Sequence, residues 1–225
     1  MKLSRRYIAL SIAVTATALS GCATESSQTL AVPVVSSAAR PYAGQPITIA
    51  VGKFSNESSY MRGIFSDGVD RLGGQATTIL ITSLQQSRRF SVLDRGNLKE
   101  IKQEAAFMNK AQALRGANFV VTGDVTEFGR KEVGDRQLFG ILGRGKSQVA
   151  YAKVSLNIVD TTTSEVVLSS QGAGEYSLSN REIIGFGGTA SYDSTLNGKV
   201  LELAIQEAVN HLAEQVDAGA LSSAK

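Results

Sequence analysis

From Ala150 to Ile158 every second residue is apolar: Ala150, Ala152, Val154, Leu156 and Ile158 alternate with Tyr151, Lys153, Ser155 and Asn157. Successive side chains of a strand point to opposite faces, so this stretch predicts a long strand with one buried side. Such a strand demands a layer to cover it, and the chain supplies one. Leu201, Ala204, Ile205, Ala208, Val209, Leu212 and Val216 fall on one face of a helix near the C-terminus. His211 sits beside that stripe, as a surface or boundary residue.

Upstream the periods alternate. Ile47 to Val51 reads as a strand continued by Lys53 and Phe54, and an irregular stretch from Asn56 to Asp70 follows. Ala76, Leu80 and Leu84, with Ile79 beside them, predict a helix. Phe90 to Leu93 is a short strand, and Asn97–Met108 a second helix with Leu98, Ile101 and Ala105 inward. Ala111 and Leu114 suggest one further turn, which Gly116 stops before the strand Phe119 to Thr122. The order β, α, β, α, β implies helices covering a sheet. After Gly123 the character changes: residues 123–198 hold 12 of the 22 glycines. Within them, Val125–Val154 and Gly172–Thr195 are too long for tight connections, and both read as β-hairpins or long loops.

The N-terminus is an address. Lys2, Arg5 and Arg6 precede a 13-residue apolar run, Tyr7–Leu19, too short to span a bilayer as a helix. Leu19-Ser20-Gly21-Cys22 resembles the lipobox of bacterial lipoproteins, in which the cysteine thiol takes a diacylglycerol. The resemblance implies a signal peptide over 1–21, acylation of Cys22 and, with Ala23 following it, sorting to the outer membrane. Residues 22–45, rich in Ser, Ala, Thr and Pro, read as a flexible tether, leaving one domain over 46–225.

Composition excludes several chemistries. The formal charge of +3 comes entirely from the three basic residues of the signal peptide, so 20 basic groups face 20 acidic ones thereafter. That balance argues against nucleic-acid binding, which rests on clustered cations. With one His, one Cys and no Trp, the chain is poorly supplied for a metal centre, and His211 has no evident nucleophile beside it. Gly140-Ile-Leu-Gly-Arg-Gly-Lys146-Ser147 matches a phosphate-binding loop, but that chemistry needs a helix directly after it. Gln148 onward alternates as a strand. No nucleotide, cofactor, metal or catalytic activity is therefore expected.

Three stretches in order carry a wider resemblance. Gln75 to Phe90, followed by Leu93-Asp94-Arg95 and Leu98, then Ala117 to Gly123, then Val154 to Ser170, together resemble the curli secretion channel lipoproteins, the CsgG family. The resemblance implies an α+β fold, an αβα-type periplasmic domain. Its two amphipathic β-hairpins, near 125–154 and 172–195, would join a shared oligomeric transmembrane β-barrel. It further implies a homo-oligomeric ring at the outer membrane that passes unfolded curlin-like or adhesin subunits without catalysis, helped by accessory secretion factors. The family narrows its pore with a loop of the form Y-x-x-x-N-F-S. The corresponding residues are Tyr60, Ile64 and Phe65, with Ile64 where the family has an amide. The rival expectation is a lipoprotein on the periplasmic side that binds and regulates an envelope or cell-wall assembly partner without forming a pore.

Overall fold

The computed structural model describes residues 33–60, 68–136, 144–182 and 195–221. The fold described is that of the unit Val34–Lys225. Cys22, Ile64 and Phe65 lie outside the described residues.

Five strands form one mixed sheet in the order β2-β1-β3-β4-β5. Strand β1 (Ile47–Asn56) runs parallel to β2 (Phe90–Leu93) and to β3 (Phe119–Arg136). Strands β4 (Arg144–Asp160) and β5 (Val166–Glu182) continue antiparallel. The alternation from Ala150 to Ile158 is the middle of β4, and all five of its apolar residues are buried. The Asp160 carboxylate closes the turn into β5 by accepting the Thr162 and Thr163 N–H groups, and those bonds hold its pKa below the usual carboxylate range.

Two helices cover one face of the sheet and pack on each other. Helix α1 (Arg71–Gln86) buries Leu72, Ala76, Leu80 and Leu84. Helix α3 (Thr195–Asp217) buries Leu201, Ala204, Ile205, Ala208, Val209, Leu212 and Val216, as their spacing predicts. It also approaches β5 at backbone distance. A Cβ at Gly172 would collide with the Ala204 carbonyl and sit 2.5 Å from the Ala208 nitrogen. One at Gly174 would meet the Val200 carbonyl at 2.7 Å. These glycines serve helix–sheet packing, not loop flexibility.

The helix between β2 and β3 departs from expectation. Helix α2 (Leu98–Phe107) forms but buries nothing: Ile101 is exposed, and so are Phe107, Met108 and Leu114 beyond it. No helical turn follows at Ala111–Leu114. The expected αβα sandwich is thus a two-layer α+β arrangement among the described residues. On the other sheet face Thr122, Ser155, Asn157 and Ser169 alternate with the buried residues, and Ser169 Oγ is 2.7 Å from Asn157 Oδ1.

The stretch expected as a tether up to residue 45 is already attached at Val35, which is 2% exposed and part of the core. The second expected hairpin also reads differently. Its first arm is the outer half of β5 and pairs with β4 from Gly172↔Val154 to Glu182↔Arg144. Strands β3, β4 and β5 therefore make one three-stranded ribbon, and residues 183–194 lie outside the described ones. Arg144 to Ser147, the end of the phosphate-loop match, opens β4 and no helix.

Truncating Leu212 to Ala removes a fully buried side chain between α3 and the sheet. It should lower the unfolding free energy by about 2–5 kcal/mol in a denaturant titration. Burial raises the pKa of Glu202 on α3, so the fold disfavours its ionised form. Stability then falls as pH rises from the ordinary Glu range through the raised value. Glu202→Gln should raise Tm at neutral pH and gain less in acid, as calorimetry at two pH values would show.

Candidate functional site: the ribbon and the loop at its base

One carboxylate ties both ends of the loop between β1 and α1. Asp70, the N-cap of α1, accepts the Gly73 N–H at 2.7 Å through Oδ1 and the Asn56 N–H at 2.8 Å through Oδ2. A side-chain oxygen before a helical stripe is the ordinary N-cap signal; its second bond, back to the strand, has no sequence signature. Asn56 turns its own side chain into the loop: Nδ2 donates to the Tyr60 carbonyl at 2.9 Å and Oδ1 accepts the Ser58 N–H at 3.0 Å. Glu57 and Ser58 both donate their N–H groups to the Val125 carbonyl at 3.0 Å, where the β1–β3 pairing ends and β3 bulges.

Of the three residues expected at a constriction, the described one is Tyr60. It is half-buried, its ring stacked 4.6 Å from that of Phe128 in a tilted arrangement. Its hydroxyl accepts from Asn197 Nδ2 at 3.3 Å, and Asn197 Oδ1 accepts from Arg130 Nε at 2.7 Å. Neither Arg130 nor Asn197 stands out in the sequence, since their meeting depends on α3 reaching β3 across the sheet.

Beyond this base the ribbon projects past the helical layer. Row by row, the register sets Arg130 opposite Ala150 and Tyr176, Lys131 opposite Val149 and Ser177, and Glu132 opposite Gln148 and Leu178. Farther out come Gly134, Lys146 and Asn180, then Arg136, Arg144 and Glu182. Both sets of alternate rows mix polar and charged residues. The two outer edges open at one level. On one side β1 and the Glu57 and Ser58 amides occupy β3 as far as Val125. On the other, Gln215 Nε2 donates to the Ser169 carbonyl at 3.1 Å and His211 Nδ1 to that of Gln171 at 2.8 Å. Val125, Val154 and Gly172 share a row. Past it, no further strand flanks β3 or β5 among the described residues.

His211 is thus a boundary residue, its other nitrogen 3.2 Å from Glu207 Oε1. Among the described residues no three His, Cys, Asp or Glu side chains group as metal ligands. No helix among them is long and apolar enough to cross a membrane.

The family described as the curli production assembly/transport component CsgG matches residues 32–224. The chain belongs to the CsgG family. A Neisseria meningitidis serogroup B protein named as a lipoprotein, NMB1126/NMB1164, is 65% identical over 212 residues, covering 94% of this chain and 95% of that one. Among solved structures, the PelC dodecamer from Paraburkholderia phytofirmans is 16% identical with a TM-score of 0.36, covering 76% of this chain and 91% of that one. Lipoprotein GNA1162 from Neisseria meningitidis is 17% identical with a TM-score of 0.36, covering 77% and 99%. At such scores these two likenesses carry no assignment.

Replacing Asp70 by Ala removes the α1 cap and the bond to β1 together. A lost cap alone costs about 1 kcal/mol. The variant should lose more than that in urea, and Asp70→Asn, which keeps an accepting oxygen, should recover part of it.

Proposed function

We propose that this CsgG-family chain is a lipid-anchored subunit of an outer-membrane secretion channel, built as a ring of identical copies. Cys22 carries the lipid once residues 1–21 are removed, and the stretch up to Pro33 is the tether. The ring passes unfolded curlin-like or adhesin polypeptide without catalysis, in company with accessory secretion factors. The carrying observation is the pair of strand edges past the Val125–Val154–Gly172 row. Unpaired strand edges invite pairing with another chain, and a closed ring of copies gives each edge a neighbour. Ile64 and Phe65 narrow the passage as a ring of apolar side chains, one set per copy.

A second reading is favoured by the ribbon's rows. A transmembrane barrel presents an apolar band about 25 Å tall to lipid, and the rows from Arg130 to Arg136 offer none on either alternate set. In this reading the ribbon stays in the periplasm, and the protein binds and regulates an envelope or cell-wall assembly partner without forming a pore.

Electron microscopy of detergent-extracted protein, with conductance in planar bilayers, separates the two. Rings that conduct are expected. Monomers without conductance would transfer the chain to the second reading. Cys22→Ser should release the protein into the soluble periplasmic fraction and abolish palmitate labelling.

A further inference from the structure

We infer that Tyr60 is a positioning residue, the pin that fixes the β1–α1 loop to the ribbon and to α3, and not part of the wall of a passage. Every polar group of Tyr60 has a partner, one within the loop and two outside it. Its N–H donates to Ser58 Oγ at 3.3 Å, its carbonyl accepts from Asn56 Nδ2 at 2.9 Å, and its hydroxyl accepts from Asn197 Nδ2 at 3.3 Å. Its ring lies on Phe128, itself buried, and packs against the core. A residue that lined a channel would present that ring to open space.

The order of groups follows from what each can do. A guanidinium only donates, so Arg130 requires the amide oxygen of Asn197, at 2.7 Å. The Asn197 NH2 is thereby turned to the phenol oxygen, which accepts it. Arg130 on β3, Asn197 in the first turn of α3 and Tyr60 in the loop form one chain of bonds joining three elements. Displacement of either strand or helix therefore reaches the loop through Tyr60. A family reading by sequence pattern alone assigns Tyr60 the same role as Phe65; the bonds made by Tyr60 argue for a different one.

The test uses the full chain and two variants, Tyr60→Phe, which keeps the ring and loses one oxygen, and Asn197→Ala, which lies far away in sequence. Arg62 gives a tryptic site next to the pin, and mass spectrometry reads cleavage between Arg62 and Gly63. Loss of one hydrogen bond should speed that cleavage about fivefold in each single variant. The double variant should be no faster than the faster single one. Unchanged cleavage in Tyr60→Phe, or effects that multiply in the double variant, would overturn the inference. A conductance arm rests on the channel reading. There Asn197→Ala should change conductance as Tyr60→Phe does, whereas a wall residue would leave Asn197→Ala silent and respond only to Tyr60→Ala. If no channel forms at all, the proposed function fails while the cleavage arm still decides the role of Tyr60.

Discussion

The approach of α3 to β5 sets the rest of the structure. A helix normally rides on a sheet at side-chain distance, with apolar residues between. Here the Ala204 and Ala208 backbone meets Gly172 directly, and Ser170 Oγ donates to the Ala208 carbonyl at 2.9 Å. Any Cβ at Gly172 would push the helix outward along its length and open the layer filled by Leu201, Ile205, Leu212, Leu156 and Ile158. Dense packing makes even one methylene felt. The small residues of α3 and the glycines of β5 are thus a matched pair.

Because α3 is held so closely, its two ends become fixed points about 34 Å apart, at 1.5 Å per residue over its 23 residues. At the C-terminal end Asp217 pairs with Arg89, a guanidinium only 1% exposed, at 2.8 and 3.0 Å. A buried charge is tolerable only when its donors are used. Nη1 serves the carbonyls of Ser37 at 2.6 Å, Ser87 at 2.8 Å and Arg40 at 3.1 Å, with the Tyr42 ring 5.2 Å away. Arg89 thereby fastens the segment leading towards Cys22 onto the body, assisted by the Asn210 side chain on Ser37 N–H at 3.1 Å. At the N-terminal end Asn197 holds the loop through Tyr60. One rod joins the Ser37–Tyr42 segment to the base of the ribbon.

Periodicity made the core legible wherever an apolar stripe found an apolar partner. The stripes Ala76–Leu80–Leu84 and Leu201–Val216 and the β4 alternation all sit where their spacing puts them. Helix α2 has a stripe as regular, Leu98–Ile101–Ala105, and it is uncovered, because spacing reports a face and never what meets it. Glycine enrichment after Gly123 reads as loop or hairpin in sequence; at Gly172 and Gly174 it is close packing, which depends on a helix some thirty residues away. Arg89 was illegible for a different reason. Charged residues sit outside as a rule, and its partners come from three separate segments. The expectation of an N-terminal address, by contrast, rests on Lys2 to Cys22 alone.

The ribbon's topology limits how copies can join. Strands β3 and β5 both run antiparallel to β4, so they run parallel to each other. Below the Val125–Val154–Gly172 row both outer edges are occupied, by β1 and the loop amides on one side and by His211 and Gln215 on the other. Among the described residues, the outer half of the ribbon is the part open to a neighbour. Taking the described strands alone, a ring that sets β5 of one copy beside β3 of the next, with all copies pointing the same way, carries one parallel junction per copy. Parallel pairing is slightly less stable per residue, and bacterial outer-membrane barrels are antiparallel throughout. A fully antiparallel barrel demands an even number of strands from each copy, and among the described residues β3, β4 and β5 supply an odd one.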